Sequence, residues 1–314
     1  RVPDSYYEAV TNWFERRHGW KISPEWIIYT TGVVPALSAI IRALTAPGDK
    51  VLVQTPVYNC FFSSIRNNGC VAETSPLKYE NGKYALDAED LERKAADPAV
   101  KLLLLCNPHN PAGRVWTRPE LEKIADICRR NGVLVVADEI HCELTYPGHP
   151  YTPFASLSEE ALRHSVTCIS PSKAFNLAGI QIANIVAADE EVRRKIDKAI
   201  NINEVCDVNS FAVDALEAAY NGGEDWLEER LPQLRVLPLE GTYLVWIDCS
   251  ALGLSSAEIV RLLEEEGRVM VNGGEMYGES EGCFIRLNIA CPRKLLLEGA
   301  ERICRTLGGR VSGT

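Results

Sequence analysis

Lys173 closes the run Ser170-Pro171-Ser172-Lys173, directly behind Val166-Thr167-Cys168-Ile169, an apolar stretch of strand length. A lysine at the mouth of a buried strand cannot reach bulk water as freely as a surface lysine does. Desolvation favours its neutral amine, which is nucleophilic and condenses with carbonyl groups to a Schiff base. Taken alone, the residue also reads as a solvated loop lysine, so its meaning depends on what other strand ends supply.

Three further stretches have the same character. Asp138 follows the five apolar residues 133–137, where an ionised carboxylate needs a cationic partner. Asp138-Glu139-Ile140-His141 also reads as a turn cap, or as part of a metal site, although no strand-end residues complete a set of three or four ligands. Asn110 sits in the turn-rich loop Asn107-Pro108-His109-Asn110-Pro111-Ala112-Gly113, after apolar 102–105. Gly32-Val33-Val34 enters a helix, whose free N–H groups and dipole favour a phosphate, though a glycine turn into a helix needs no ligand. Combined, these are a phosphate cradle, a side-chain amide, an anion and an amine. Pyridoxal 5′-phosphate requires that set: a phosphate anchor, a donor to the ring oxygen O3′, a negative charge at the ring nitrogen and an amine for the aldehyde.

The positioning elements are strands expected at 26–30, 50–54, 71–74, 101–105, 133–137, 166–169 and 183–187, alternating with helices that include 33–44, 87–96 and 118–130. Apolar runs in place of period-two alternation indicate a mostly parallel sheet covered on both faces. Such sheets bind ligands at the carboxyl ends of their strands, where all four stretches fall. Ahead of them, Tyr6, Val10, Trp13 and Phe14 line one face of a helix ending near Gly19. Two helices are expected between 190 and 220, and a third begins at Trp226 but stops at Glu229, ahead of Pro232. Strands at 236–239, 243–247, 269–271 and 284–287 with helices at 256–266 and 293–307 describe a smaller α+β unit. The expected division is a large domain over 1–228 and a small one over 229–314.

With 314 residues, 46% hydrophobic and 24% charged, the chain has the composition of a globular protein with a sizeable core. Its 33 Lys+Arg against 43 Asp+Glu give a net charge of -10, which argues against nucleic acid or an anionic membrane as partner. The 11 cysteines are odd in number, form no CxxC pair and include several in apolar surroundings. They read as small buried hydrophobes in a reducing compartment. No apolar run reaches membrane-spanning length and no signal peptide opens the sequence, so a cytoplasmic location is expected.

The segments 107–113, 138–141 and 170–176 resemble those of fold-type I pyridoxal-phosphate enzymes of the class I/II aminotransferase superfamily. With Arg286-Leu287-Asn288-Ile289-Ala290-Cys291-Pro292-Arg293, the chain is most similar to the MalY/PatB-type cystathionine β-lyases, a carbon–sulfur lyase group. The resemblance implies an α/β fold: a mostly parallel mixed seven-stranded sheet sandwiched by helices, plus a small C-terminal α+β domain. It implies that Lys173 carries pyridoxal 5′-phosphate as a Schiff base and that Asp138 pairs with the ring nitrogen. Asn110 would bind O3′ with His141 at the same edge, and Tyr58 would stack on the ring. Val33, Val34 and Ser170, beside Gly32, would hold the phosphate. Arg286 would hold the substrate carboxylate, which suits a guanidinium fork; no metal is implied.

The implied reaction is α,β-elimination from L-cystathionine or a related cysteine S-conjugate to pyruvate, ammonia and a thiol, in a homodimer with shared active sites. An aminotransferase would share these residues, and a regulatory protein that binds a transcription factor is a further alternative. The chain departs from the pattern at Gln181, in the region where many transaminases have a phosphate-binding arginine. The family's N-terminal segment, with a tyrosine reaching the neighbouring subunit's phosphate, would precede Arg1. The abrupt helix end near 229–230 reads as a join where residues are left out.

Overall fold

The apolar runs of the sequence become the interior strands of one sheet. The computed structural model describes residues 2–202, 207–230, 239–278 and 281–307. In chain order the elements are α1 (Asp4–His18), β1 (Ile27–Thr30), α2 (Val33–Leu44), β2 (Lys50–Val53), α3 (Asn59–Asn67), β3 (Val71–Thr74), β4 (Lys78–Glu80), β5 (Lys83–Ala85), α4 (Ala88–Ala95), β6 (Val100–Cys106), α5 (Arg118–Arg130) and β7 (Leu134–Asp138). They continue with α6 (Glu159–Arg163), β8 (Ser165–Ile169), β9 (Ala183–Val186), α7 (Glu190–Asn201), α8 (Ser210–Gly222), α9 (Glu224–Arg230), β10 (Leu244–Asp248), α10 (Ser256–Leu262), β11 (Asn272–Gly273), β12 (Phe284–Asn288) and α11 (Arg293–Leu307).

The main sheet has seven strands in the order β1-β9-β8-β7-β6-β2-β3. The five strands from β8 to β3 run parallel. β9 is antiparallel to both β8 and β1, which leaves β1 pointing the same way as β8. The link before β9 holds the lysine loop and a single 3₁₀ turn, Ala178–Ile180, with no crossover helix, so the chain returns antiparallel. Alternate residues of β6 feed opposite cores: Leu102 and Leu104 pack with Leu37 and Ile40 of α2, while Leu103 and Leu105 pack with Leu121 and Ile124 of α5. Burial on both faces is why these strands read as unbroken apolar runs. Thr117 and Glu120 form a capping box at the start of α5, with Pro119 in its first turn.

A second, antiparallel sheet has the order β10-β12-β11. It differs from the sequence reading in two places. The expected strand at 269–271 does not pair; pairing is confined to Asn272 and Gly273, opposite Arg286 and Ile285. The helix expected to reach 266 ends at Leu262 in a wide turn, Leu263–Gly267, after which Arg268 is left-handed at φ 53° and the Val269 N–H closes back on Leu263. The hairpin of β4 and β5 was not anticipated, although Asn81 and Gly82 (φ 52° and 75°) are the residue pair that a two-residue turn with positive φ selects. The strand read at 236–239 falls, except for Leu239, outside the described residues. The join read at 229–230 borders the same undescribed stretch and is not addressed.

The segment ahead of β10 is pinned to the main sheet's loops. Gly113 accepts hydrogen bonds from the Glu240 and Gly241 N–H groups at 3.0 and 3.1 Å. The Thr242 N–H donates to Leu144 at 2.6 Å. A Cβ at Gly241 would stand 2.8 Å from the Leu144 oxygen, so only glycine fits this crossing. Thr242, β-branched and buried, is held at φ 70°, a strained conformation that the crossing enforces. Among the described residues no helix is long and apolar enough to cross a membrane.

Candidate active site

A cavity of about 450 Å³ opens where β1, β6, β7 and β8 end, closed on its far side by β10 and β12. Gly32, Val33, Val34, Tyr58, Asn110, Asp138, His141, Lys173 and Arg286 all line it. Ser170 does not: its hydroxyl donates to the Ile182 carbonyl at 2.6 Å, and its oxygen accepts the Ser172 N–H at 3.1 Å. That bracing turns Ser172 onto the cavity wall in its place. Thr31, Pro35, Cys106, Ile140, Gln181, Tyr243 and Asn288 complete much of the lining. Asn288 was legible from Arg286, because residues two apart on a strand share a face. Tyr243 had no such signal; it reaches the cavity through the strained turn at Thr242.

Asp138 and Glu139 show how neighbouring carboxyls are given different environments. Asp138 is buried, accepts one N–H, from Ile140 at 3.2 Å, and faces the cavity. Burial pushes its pKa up to about 6 against the opposing pull of that N–H and of the Lys173 charge. Glu139 accepts Asn107 Nδ2 and the Phe154 N–H, both at 2.9 Å, and the Tyr151 hydroxyl, tying together the loops after β6 and β7. Burial raises it to about 7.

His141 is driven down to about 3 by burial, helped by the charges of Lys173 and Arg286, so its imidazole is neutral. Its Nε2 is buried without a hydrogen-bond partner, and its ring meets Tyr243 edge-on at 6.0 Å. Lys173 is half-buried, less enclosed than its strand-end position suggested. Tyr58 caps α3; burial raises its hydroxyl's pKa, keeping it protonated.

Arg286 projects from β12. Nη1 donates to Asn110 Oδ1 at 3.3 Å, Nη2 donates to Asn272 Oδ1 at 3.0 Å, and the guanidinium carbon lies 4.9 Å above the Tyr277 ring. Its Nε is buried without a partner. The Asn110 bond uses the amide oxygen, which leaves the amide N–H groups for a ligand. Among the described residues, none of Asp138, Lys173 and Arg286 takes part in a salt bridge.

At the other end of the cavity, α2 presents its N-terminal N–H groups beside the Ser172 hydroxyl and Gln181, with no cation in this part of the described lining. The donor set runs from anion-binding N–H groups through an amine and an amide to a buried carboxylate lacking a cation. It fits the groups of pyridoxal 5′-phosphate in the order expected from the sequence.

On the far side of the Asp138 loop, His18, Cys142 and Glu143 lie close enough to hold a metal ion. Glu143 is instead saturated by protein donors: Trp13 Nε1 and His18 Nε2 at 2.7 Å and Arg17 Nε at 3.0 Å. The cluster locks α1 onto the main sheet.

A family model described as aminotransferase class I and II matches residues 1–303. Cystathionine beta-lyase PatB of Bacillus subtilis (strain 168) is 43% identical over 314 residues, spanning 94% of this chain and 81% of that protein. Protein MalY of Escherichia coli (strain K12) is 30% identical, spanning 97% and 82%. The crystal structure of cystalysin from Treponema denticola, which contains a pyridoxal 5′-phosphate cofactor, matches at TM-score 0.95 and 32% identity, covering 98% of this chain and 83% of that one.

Proposed function

This chain belongs to the class I and II aminotransferase family, and from that premise we propose that it is a pyridoxal 5′-phosphate-dependent carbon–sulfur β-lyase. Its substrate is L-cystathionine or a related cysteine S-conjugate, and its products are pyruvate, ammonia and a thiol. The observation that carries the reading is the trio Asp138, Lys173 and Arg286 around one cavity, none of them in a salt bridge among the described residues, in a chain 43% identical to a cystathionine beta-lyase.

The cofactor, when bound, supplies an aldehyde for the substrate amine and a ring that accepts the electron pair left at Cα. The α2 N-terminus and Ser172 would hold its phosphate, Asn110 its O3′, Asp138 its ring nitrogen and Tyr58 its face. Lys173 supplies the amine for the aldehyde and the base for the Cα proton. Arg286 holds the α-carboxylate and so fixes which bond at Cα is presented. The Cβ–S bond breaks with its pair leaving on sulfur, and the three-carbon enamine that remains hydrolyses to pyruvate and ammonia. His141, neutral and unpaired at Nε2, adds a polar contact without adding charge.

We further infer a cytoplasmic homodimer and a division of the chain at 228/229. Support for the dimer comes from the exposed apolar side chains Ile202 and Phe211, 61% and 77% accessible, which a second copy would cover. Light scattering tests it. The activity is tested by incubating the cofactor-loaded protein with L-cystathionine without a keto acid. Stoichiometric pyruvate and free thiol are expected; amino-group transfer to an added keto acid without pyruvate would overturn the lyase reading in favour of an aminotransferase.

A further inference from the structure

Arg286 is held in a way that leaves its charge unspent. A partly buried guanidinium that takes a carboxylate partner is fixed by it and also neutralised. Here its restraints are two amide oxygens, Asn110 Oδ1 and Asn272 Oδ1, and the face of Tyr277 at 4.9 Å. An aromatic face attracts a cation through its quadrupole and carries no net charge.

Tyr277 is built to be immobile. It is 1% accessible and ends the short 3₁₀ segment Gly274–Tyr277. A Cβ at Gly274 would stand 1.9 Å from the Glu281 oxygen, so the segment lies flat against the chain beyond it. Trp246, the cross-strand neighbour of Arg286, meets the Tyr277 ring edge-on at 5.3 Å and stacks on Phe284, also at 5.3 Å. The Tyr277 carbonyl accepts the Val57 N–H at 2.8 Å, one residue before Tyr58, which ties this aromatic floor to the opposite wall of the cavity.

We propose that Tyr277 is the positioning residue for Arg286: its ring fixes the guanidinium's plane while leaving the full charge for the substrate α-carboxylate. The proposal rests on the reading of Arg286 as the carboxylate site.

The test uses the cofactor-loaded protein. Binding of L-alanine, which has no leaving group at Cβ, is followed through the cofactor's absorbance, alongside kcat and KM for L-cystathionine, cofactor affinity and melting temperature. Tyr277→Leu is expected to raise the L-alanine Kd and the KM roughly 3- to 30-fold, the span of a desolvated cation–π contact, with kcat and cofactor affinity nearly unmoved. Tyr277→Phe, which keeps the ring, restores what Leu loses. Asn272→Ala, at an exposed position, raises the same two constants roughly two- to fivefold. Should Leu fail to fold, Tyr277→Met fills the site more adaptably and carries the same expectation. A wild-type L-alanine Kd in folded Tyr277→Leu or Tyr277→Met overturns the proposal, as does a Phe variant no better than Leu. Arg286→Ala separates the two levels. Weakened L-alanine binding there leaves the carboxylate reading standing whatever Tyr277 does, and unchanged binding removes that reading and the proposal with it.

Discussion

Asp138, the last residue of β7, and Glu143, five positions on in the loop that follows, are both buried acids, and they are treated in opposite ways. Glu143 is enclosed by Trp13, Arg17 and His18, whose donors pull its pKa below the usual carboxylate value despite burial. Asp138 has one backbone N–H and a raised pKa. A carboxylate saturated by its own protein has finished its work at folding; one left short of donors is waiting for a ligand. Arg17 and Arg286 differ likewise: Arg17 holds Glu143, Glu224 and Glu228, while Arg286 holds only amides and a ring.

The contrast is open to direct attack. Lys173→Ala, on the unsaturated side, should lose covalent cofactor attachment and cut turnover by at least about 10²–10⁴-fold for the base alone, with melting temperature little changed; full turnover would end the assignment. Glu143→Ala, on the saturated side, should cost ~3–5 kcal/mol of stability in denaturant titrations, as when one partner of a buried pair is removed, while cofactor affinity per folded molecule holds. Asp138→Asn should do the reverse. It should abolish tight cofactor binding yet leave the cofactor-free protein as stable or, above pH 6, more stable by up to ~3 kcal/mol, because a desolvated charge is gone.

The smallest effect is a pH dependence. Since the folded pKa of Asp138, about 6, lies above its ordinary 3.8, its contribution to stability is fully present below pH 3.8 and is lost as pH rises through 6. Cofactor affinity runs the opposite way, because only the ionised carboxylate pairs with a pyridinium. Binding titrations should weaken by about tenfold per pH unit below 6, a slope absent in Asp138→Asn.

The sequence was most informative where burial was two-sided. The bounds of α2, α5 and α11 and the cores of β6, β7 and β8 follow from apolar periodicity and caps, and eight of the nine cofactor positions named from sequence line the cavity. The exception, Ser170, stands behind the wall, its hydroxyl bonded to the Ile182 carbonyl, a partner that lies 12 residues on and that sequence does not show. Legibility fell in the small sheet, where half-exposed strands give weak patterns. At 269–271 a run with valine at both ends suggested a strand, but the ladder with β12 falls one step further on. Tyr277 and Tyr243 were invisible for a related reason: their meaning is set by partners far away in sequence.

The hydrogen bond between Arg286 and Asn110 spans 176 residues of chain. Every strand end that lines the phosphate and ring portions of the cavity has been synthesised long before Arg286 leaves the ribosome. The main sheet therefore folds ahead of its own lid, and for that interval the cavity is an open trough with neither Arg286 nor the Tyr277 floor above it. Closure depends on a long-range contact, the slow class in folding. Timing then orders assembly: the strand ends proposed to hold the cofactor come first, and the arginine proposed to hold an amino-acid carboxylate arrives last.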